Sequence, residues 1–491
     1  MKDRLRVRPE GDEFAALARE WPLVPVWAEL LADVSTPVGV FPSLAADGPG
    51  VLLESVERSE RWGRYSFVAG DPAALVLVNE NGLGIQDVAR PLPFDASNTP
   101  GDAIEGLKRI AGSLRAPRIS ELPPLTGGLV GFLAYEAAEL LDGHPHPSGD
   151  SFCPPIGFQV IDRAVVFDHW LQRMVLVAHV PASTPYGEAV AALEELEERV
   201  RSADPPPIEP LADQPETGLT VNMSDERYRE IVARMKEHIL AGDIFQGVPS
   251  RRVSFPAAGG GMPIYRRLRV TNPAPYMFFV RMLGMELAGS SPEPLVRVEG
   301  RDVITRPIAG TRPRGATPEE DALLEKELLA DPKEQAEHAM LVDLARNDLG
   351  RVCTPGTIRP SELMVVERFS RVMHIVSTVE GELADGRHPL DALAVTFPAG
   401  TVTGAPKRRA MEIIADEEPT ARGPYAGAVG YLNFSGDMDF CITIRTAVAV
   451  DGVAHVQTGA GVVADSDPEA ELAESKAKAS ALLAAAEGGA R

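Results

Sequence analysis

The chain has 491 residues, 44% of them hydrophobic and 24% charged, with a net charge of −23. These proportions belong to a folded chain long enough for one large or two to three ordinary domains; so acidic a protein is a poor match for nucleic acid or an anionic membrane. Three scattered cysteines, no apolar run behind the N-terminal charges and no stretch of about 20 apolar residues argue against a disulfide framework, a signal peptide or a membrane span, so the expectation is a cytoplasmic protein.

In chain order, residues 51–53, 74–78 and 175–180 read as strands separated by Gly/Pro turns. Val190, Leu193, Leu196 and Val200 then recur at helical spacing. Residues 203–218 read ADPPPIEPLADQPETG, a proline-rich stretch that blocks helix and interior strand. This divides the chain into an N-terminal part, 1–205, a linker, 206–219, and a C-terminal part, 220–491. Beyond the linker, Ser224 or Asp225 caps a helix carrying Tyr228, Ile231, Val232, Met235 and Ile239, and Gly242 stops it. Strand-like runs follow at 276–280, 426–434 and 442–450. Regular βαβ alternation is absent, which predicts an α+β fold with largely antiparallel sheets.

Three capped helix starts carry acidic side chains. Thr317-Pro318-Glu319-Glu320 is a capping box, and Asp331-Pro332 repeats the device ahead of Glu334 and Glu337, three apart on one face. Asp467-Pro468 opens the last helix, with Glu471, Glu474 and Lys478 stacked. Such pairs are solvated faces unless the two helices meet across a cleft. Gly400 to Lys407 is no phosphate loop, because three residues rather than four separate its glycines and Pro406 interrupts it. Lys407, Arg408 and Arg409 read as a solvated turn, and His144 and His146 as loop residues.

The C-terminal part carries an ordered series of motifs: GDIFQGVPS (242–250), NPAPYMF (272–278), AGSSPEPLV (288–296), RPIAGTRPRG (306–315), DPKEQAEHAMLVDLARNDLGRV (331–352), VMHIVSTVEG (372–381), FPAGTVTGAPKRRAMEII (397–414), GPYAGAVGY (423–431), CITIRTA (441–447) and TGAGVVADSDPEAELAES (458–475). VLLESVE (51–57), RYSFVA (64–69) and LTGGLVGFLAYE (125–136) continue it more thinly upstream. The series resembles the chorismate-utilising enzymes, within them the anthranilate synthase component I branch. The resemblance implies a large, mostly antiparallel β-sandwich flanked by helices, with the N-terminal regulatory and C-terminal catalytic parts intertwined.

It also implies a chemistry. Chorismate is a dianion, and Arg445 offers a bidentate fork to one carboxylate. Tyr425 adds a hydroxyl, Gly459, Ala460 and Gly461 present backbone N–H groups, and Gly310, Thr311 and Thr401 line the same pocket. By resemblance Mg²⁺ is held by Glu337 and Glu474, with Glu334 and Glu471 acting directly or through water, an oxygen donor set that suits a hard cation. Glu293 matches the general acid that protonates the departing C4 hydroxyl. His374 matches the active-site histidine, on the leaving-group side or in the later elimination. Gln246 stands where water-adding relatives carry a lysine base, and Ala309 where aminodeoxychorismate synthases carry a nucleophilic lysine. Both point to ammonia as nucleophile and anthranilate as product; aminodeoxychorismate synthase, of the folate pathway, is the alternative. Pro294 replaces a common methionine beside the acid.

No cysteine sits in a glutaminase setting. The ammonia source is therefore expected to be a separate glutamine amidotransferase subunit, in a heterotetramer with two copies of each. The resemblance further implies tryptophan feedback inhibition, at a pocket of Leu53, Glu54, Ser55, Pro275, Tyr276, Met277, Val429, Tyr431 and Cys441.

Overall fold

Two antiparallel sheets of eleven strands each dominate the computed structural model, which describes residues 5–55, 63–79, 82–93, 102–149, 151–207, 218–368 and 372–487. Residues 208–217, most of the expected linker, and Val56 and Glu57 of the LLES-containing motif lie outside the described residues.

Each sheet is built from both parts of the chain. The first begins at Leu23–Leu31 and passes through Arg173–Pro181, Arg163–Asp168, Tyr65–Gly70 and Gly50–Glu54. It continues through Tyr276–Met282, Met285–Ser291, Thr446–Val450 and Val453–Gly459 to Ser250–Pro256 and Thr220–Val221. In the second, Ala428–Asn433 pairs with Gly128–Leu133, bringing Ala428 opposite Leu133. The junction in the first sheet sets Met277 opposite Glu54. The expected intertwined α+β sandwich is thus present, held by backbone ladders that cross between the parts.

Period-two alternation decides what each strand buries. Leu53 faces the layer between the sheets, with Val130, Phe132, Phe278, Val429 and Cys441. Leu52, one residue earlier, faces outward, where Leu193, Leu196, Tyr265 and Leu268 cover it from helices. The outer face of the second sheet is covered by Leu107, Leu393 and Phe397, against Leu129 and Phe158. Among the described residues no helix is long and apolar enough to cross a membrane.

The expected caps form. Ser224 accepts from the Arg227 N–H at 3.1 Å and opens the helix Asp225–Leu240. Thr317 caps Pro318–Ala330, Asp331 caps Pro332–Gly350, and Asp467 accepts from the N–H groups of Glu469 and Ala470 at the start of Pro468–Glu487. Two expectations change. The run 442–450 is two strands, Met438–Ile442 and Thr446–Val450, separated by a break in which Arg445 has φ 50°. Lys407 is no solvated turn residue: it opens the helix Lys407–Glu417, and its ammonium lies 3.0 Å from the half-buried Asp348 carboxylate.

Candidate active site

Gln246 and Gly247 form a short ladder with Gly404 and Ala405, which brings two motifs far apart in sequence together. The Gln246 side chain is buried, and its amide nitrogen donates to Glu337 Oε1 at 2.9 Å. Its amide oxygen has no partner among the described residues. Gly461 makes the room: a Cβ there would lie 2.8 Å from the Gln246 amide nitrogen.

Glu293 follows the strand Met285–Ser291 and is 9% exposed. The Thr401 hydroxyl, from the turn Gly400–Val402, donates to its Oε1 at 2.9 Å. Burial pushes the carboxyl up to about 7, against the lowering pull of Thr401, Arg445 and Lys478. Near neutral pH the acid form is therefore available. Pro294 does not disturb this geometry. It begins the strand Pro294–Glu299, where a missing N–H is tolerated, and the Ile442 N–H still donates to the Glu293 carbonyl at 3.0 Å.

The left-handed backbone of Arg445 lies at the interruption between two strands, and its carbonyl accepts from the Ser290 N–H at 3.1 Å. Burial lowers the pKa of its guanidinium, partly offset by Glu293. No ion-pair partner holds it among the described residues. A desolvated, uncommitted guanidinium has a strong demand for a bidentate anion. Tyr425 is half-buried, its hydroxyl 3.1 Å from where a Cβ on Gly459 would stand. Ala460 is fully buried between the two glycines.

His374 pairs with Thr311 across the strands Ile308–Pro313 and Val372–Glu382. Its Nδ1 lies 3.0 Å from the Gly310 carbonyl and 3.1 Å from the Thr311 hydroxyl. A ring N–H donating to that carbonyl leaves the lone pair of the neutral imidazole on Nε2. Burial, with a smaller contribution from Arg445, lowers the histidine pKa, so the ring is a neutral base. Gly310 has φ 66°, and a Cβ there would lie 3.0 Å from Glu334 Oε2.

The four glutamates come from two helices, Pro332–Gly350 and Pro468–Glu487. Burial raises the pKa of Glu337, and both Glu334 and Glu474 raise it further. Burial also raises Glu471, as does Glu474. Glu337 and Glu474, from different helices, are thus close enough to repel each other. Glu334 is held by Arg312 at 3.0 Å, and Glu474 by Lys478 at 2.7 Å. Lys478 also donates to the Gly459 carbonyl at 3.1 Å, a bridging role that the sequence reading missed. Among the described residues no three acidic, histidine or cysteine side chains are gathered tightly enough to enclose an ion alone. The donor set still fits a hard cation: it is all oxygen, and Glu337 and Glu471 are partly desolvated carboxylates short of counter-charge.

A second missed feature lies beneath the site. Arg422 is fully buried and forks onto Glu418, at 2.6 and 2.9 Å. Its Nη1 donates to the Val402 carbonyl and its Nη2 also to the Val248 carbonyl, next to Thr401 and the Gln246 ladder. Glu418 also accepts from the Ser250 backbone and hydroxyl. Arg422→Leu strands a buried carboxylate, and the expected loss of stability is about 3–5 kcal/mol, measured as a lower denaturant midpoint.

The residues expected to bind tryptophan divide between two faces. Leu53, Tyr276, Val429, Tyr431 and Cys441 share the inter-sheet layer, and the buried Ser55 hydroxyl has no partner among the described residues. Pro275 is buried one residue before the strand Tyr276–Met282. The side chains of Glu54 and Met277 lie on the opposite face. Glu54 is held there by Arg269 at 2.7 Å and Tyr265 at 2.6 Å, and Met277 packs in the outer cluster.

Residues 85–484 match the family described as chorismate binding enzyme. The chain is 47% identical to anthranilate synthase component 1 of Streptomyces coelicolor, covering 97% of this chain and 91% of that protein. To the same-named protein of Acetivibrio thermocellus it is 42% identical, covering 98% of each. The crystal structure of anthranilate synthase component I from Streptococcus pneumoniae superposes with a TM-score of 0.76 at 34% identity, covering 87% of this chain and 93% of that one. With these matches running nearly end to end, the chain belongs to the anthranilate synthase component 1 family of chorismate binding enzymes.

Proposed function

We propose that the chain converts chorismate and ammonia to anthranilate, pyruvate and water. The observation that carries this reading is a buried acid, Glu293, within electrostatic reach of an uncommitted guanidinium, Arg445, together with an uncharged glutamine, Gln246, bonded to Glu337. Arg445 and the Tyr425 hydroxyl bind one substrate carboxylate, and the N–H groups around Ala460 contribute donors. Glu337 and Glu474 would hold Mg²⁺, with Glu334 and Glu471 beside them; bound there, the ion supplies positive charge for the ring carboxylate.

Glutamine cannot deprotonate water, whereas ammonia already carries a nucleophilic lone pair. That pair forms the C2–N bond, the ring double bonds shift, and the C4–O bond breaks. Glu293 gives its proton to the departing oxygen, which leaves as water. In the second step the neutral His374 takes the C2 proton while the C3–O bond breaks, releasing pyruvate and an aromatic ring. The test is direct: the purified chain, chorismate, Mg²⁺ and an ammonium salt should yield anthranilate fluorescence. EDTA should abolish it and Mg²⁺ restore it. Isochorismate formed at a comparable rate without ammonia would contradict the assignment of Gln246.

The same reading gives the ammonia a glutaminase partner, in a tetramer of two subunits of each kind. It makes residues 1–205 a tryptophan sensor moving against a catalytic part, 220–491. The lone Ser55 hydroxyl and the apolar layer of Val429 and Tyr431 support a pocket between the sheets. Inhibition requires tryptophan to bind a low-activity state more tightly, and a coupling of about 1–3 kcal/mol is typical. Ser55→Phe should fill the pocket and relieve inhibition with uninhibited turnover nearly intact. A fully inhibited Ser55→Phe chain removes the pocket.

A further inference from the structure

A second compartment meets the active site at Glu293. It is a narrow cleft of about 50 Å³, room for a few water molecules, with Glu293 and Thr401 on one side and apolar walls from Leu295, Leu341, Ala345 and Ile442. Asp348, also in its lining, lies three turns further along the same helix than Glu337. Arg445, Tyr425, Gln246, His374 and Glu337 do not line it.

A dianion finds no uncommitted charge here. Arg306 is engaged by Glu367 and Thr378, and the nearby Lys407 by Asp348. One polar atom in the wall is idle. The Thr305 hydroxyl belongs to a residue 5% exposed and has no hydrogen-bond partner among the described residues. An apolar cleft with a lone buried hydroxyl, ending on a carboxylic acid, suits a small neutral molecule that donates and accepts hydrogen bonds.

We propose that this cleft is the exit for the water formed from the substrate's C4 hydroxyl and the entry for the proton that recharges Glu293. The inference rests on the function proposed above. The balance is complete without another reactant. Each turnover moves the Glu293 proton onto the departing oxygen and leaves a carboxylate. The nitrogen that has added at C2 gives up a proton to solvent, and one proton returns to Glu293 through water ordered on the hydroxyls of Thr305 and Thr401. Both are positioning residues for that water.

Two variants test it. Ala345→Phe fills the cleft, and Thr305→Val removes the idle hydroxyl with little change of volume; circular dichroism checks folding. Turnover is measured against chorismate and against ammonium, in H₂O and D₂O. Ala345→Phe should lower kcat by about tenfold with both KM values within about twofold, and raise the solvent isotope effect on kcat, because proton return becomes limiting. Thr305→Val should move the same two readouts in the same direction by less. A raised chorismate KM would make the cleft part of the substrate pocket; a raised ammonium KM would make it the nucleophile's route. Either result, or unchanged kcat and isotope effect in both variants, overturns the inference. If the wild-type chain makes no anthranilate, the proposed function fails and takes this inference with it. If the wild type is active and the variants match it, only the inference fails.

Discussion

Glu293→Gln should lower kcat by about 10²–10⁴-fold while chorismate KM stays within a few-fold, the signature of a lost general acid. The amide keeps the shape and still accepts the Thr401 hydrogen bond, so the loss reports the proton rather than the packing. The wild-type pH profile should carry the same information. The acid form is the active one, and burial places its pKa at about 7. At constant free ammonia, turnover should fall by about tenfold per pH unit above that value. The variant should lose this limb. A wild-type profile flat to pH 9, or a variant with near-normal kcat, would remove Glu293 as the acid.

Arg445→Leu should lower kcat/KM for chorismate by about 30- to 5,000-fold, equivalent to about 2–5 kcal/mol for a buried charge pair. Arg445→Lys should recover only part, since an ammonium has no planar fork. A second effect follows from the geometry. Arg445 lowers the pKa of Glu293, so its removal should move the alkaline limb to higher pH. A chorismate KM unchanged in Arg445→Leu would mean that its guanidinium serves some other group.

How much of this was legible beforehand follows the range of the interactions. Helix starts were readable because a cap is local: Ser224, Thr317 and Asp331 each satisfy N–H groups two or three residues on. The carboxylate pairs were readable as pairs, but their joining in one site came only from resemblance, because the 117 residues between the two helices carry no distance information. Sheet order was invisible. Nothing near Glu54 names Met277 as its cross-strand neighbour.

The division of the proposed tryptophan residues was readable in principle. Leu53 and Ser55 alternate with Glu54, and Tyr276 with Met277, so one face cannot hold all five side chains. Arg445 shows the opposite case. Its run reads as one alternating strand, and the left-handed residue that aims the guanidinium inward is set by tertiary contacts, among them the Ser290 hydrogen bond. Arg422 and Glu418 carry the helical spacing of an ordinary surface pair, yet both are buried. Only the fold distinguishes the two.

The most direct test of the account is the fate of labelled nitrogen. The purified chain is incubated with chorismate, Mg²⁺ and ¹⁵N-ammonium, and the products are resolved by mass spectrometry. The account predicts ¹⁵N-anthranilate and pyruvate in equal amounts. An aminated product that keeps its enolpyruvyl group, or isochorismate without nitrogen, would contradict it.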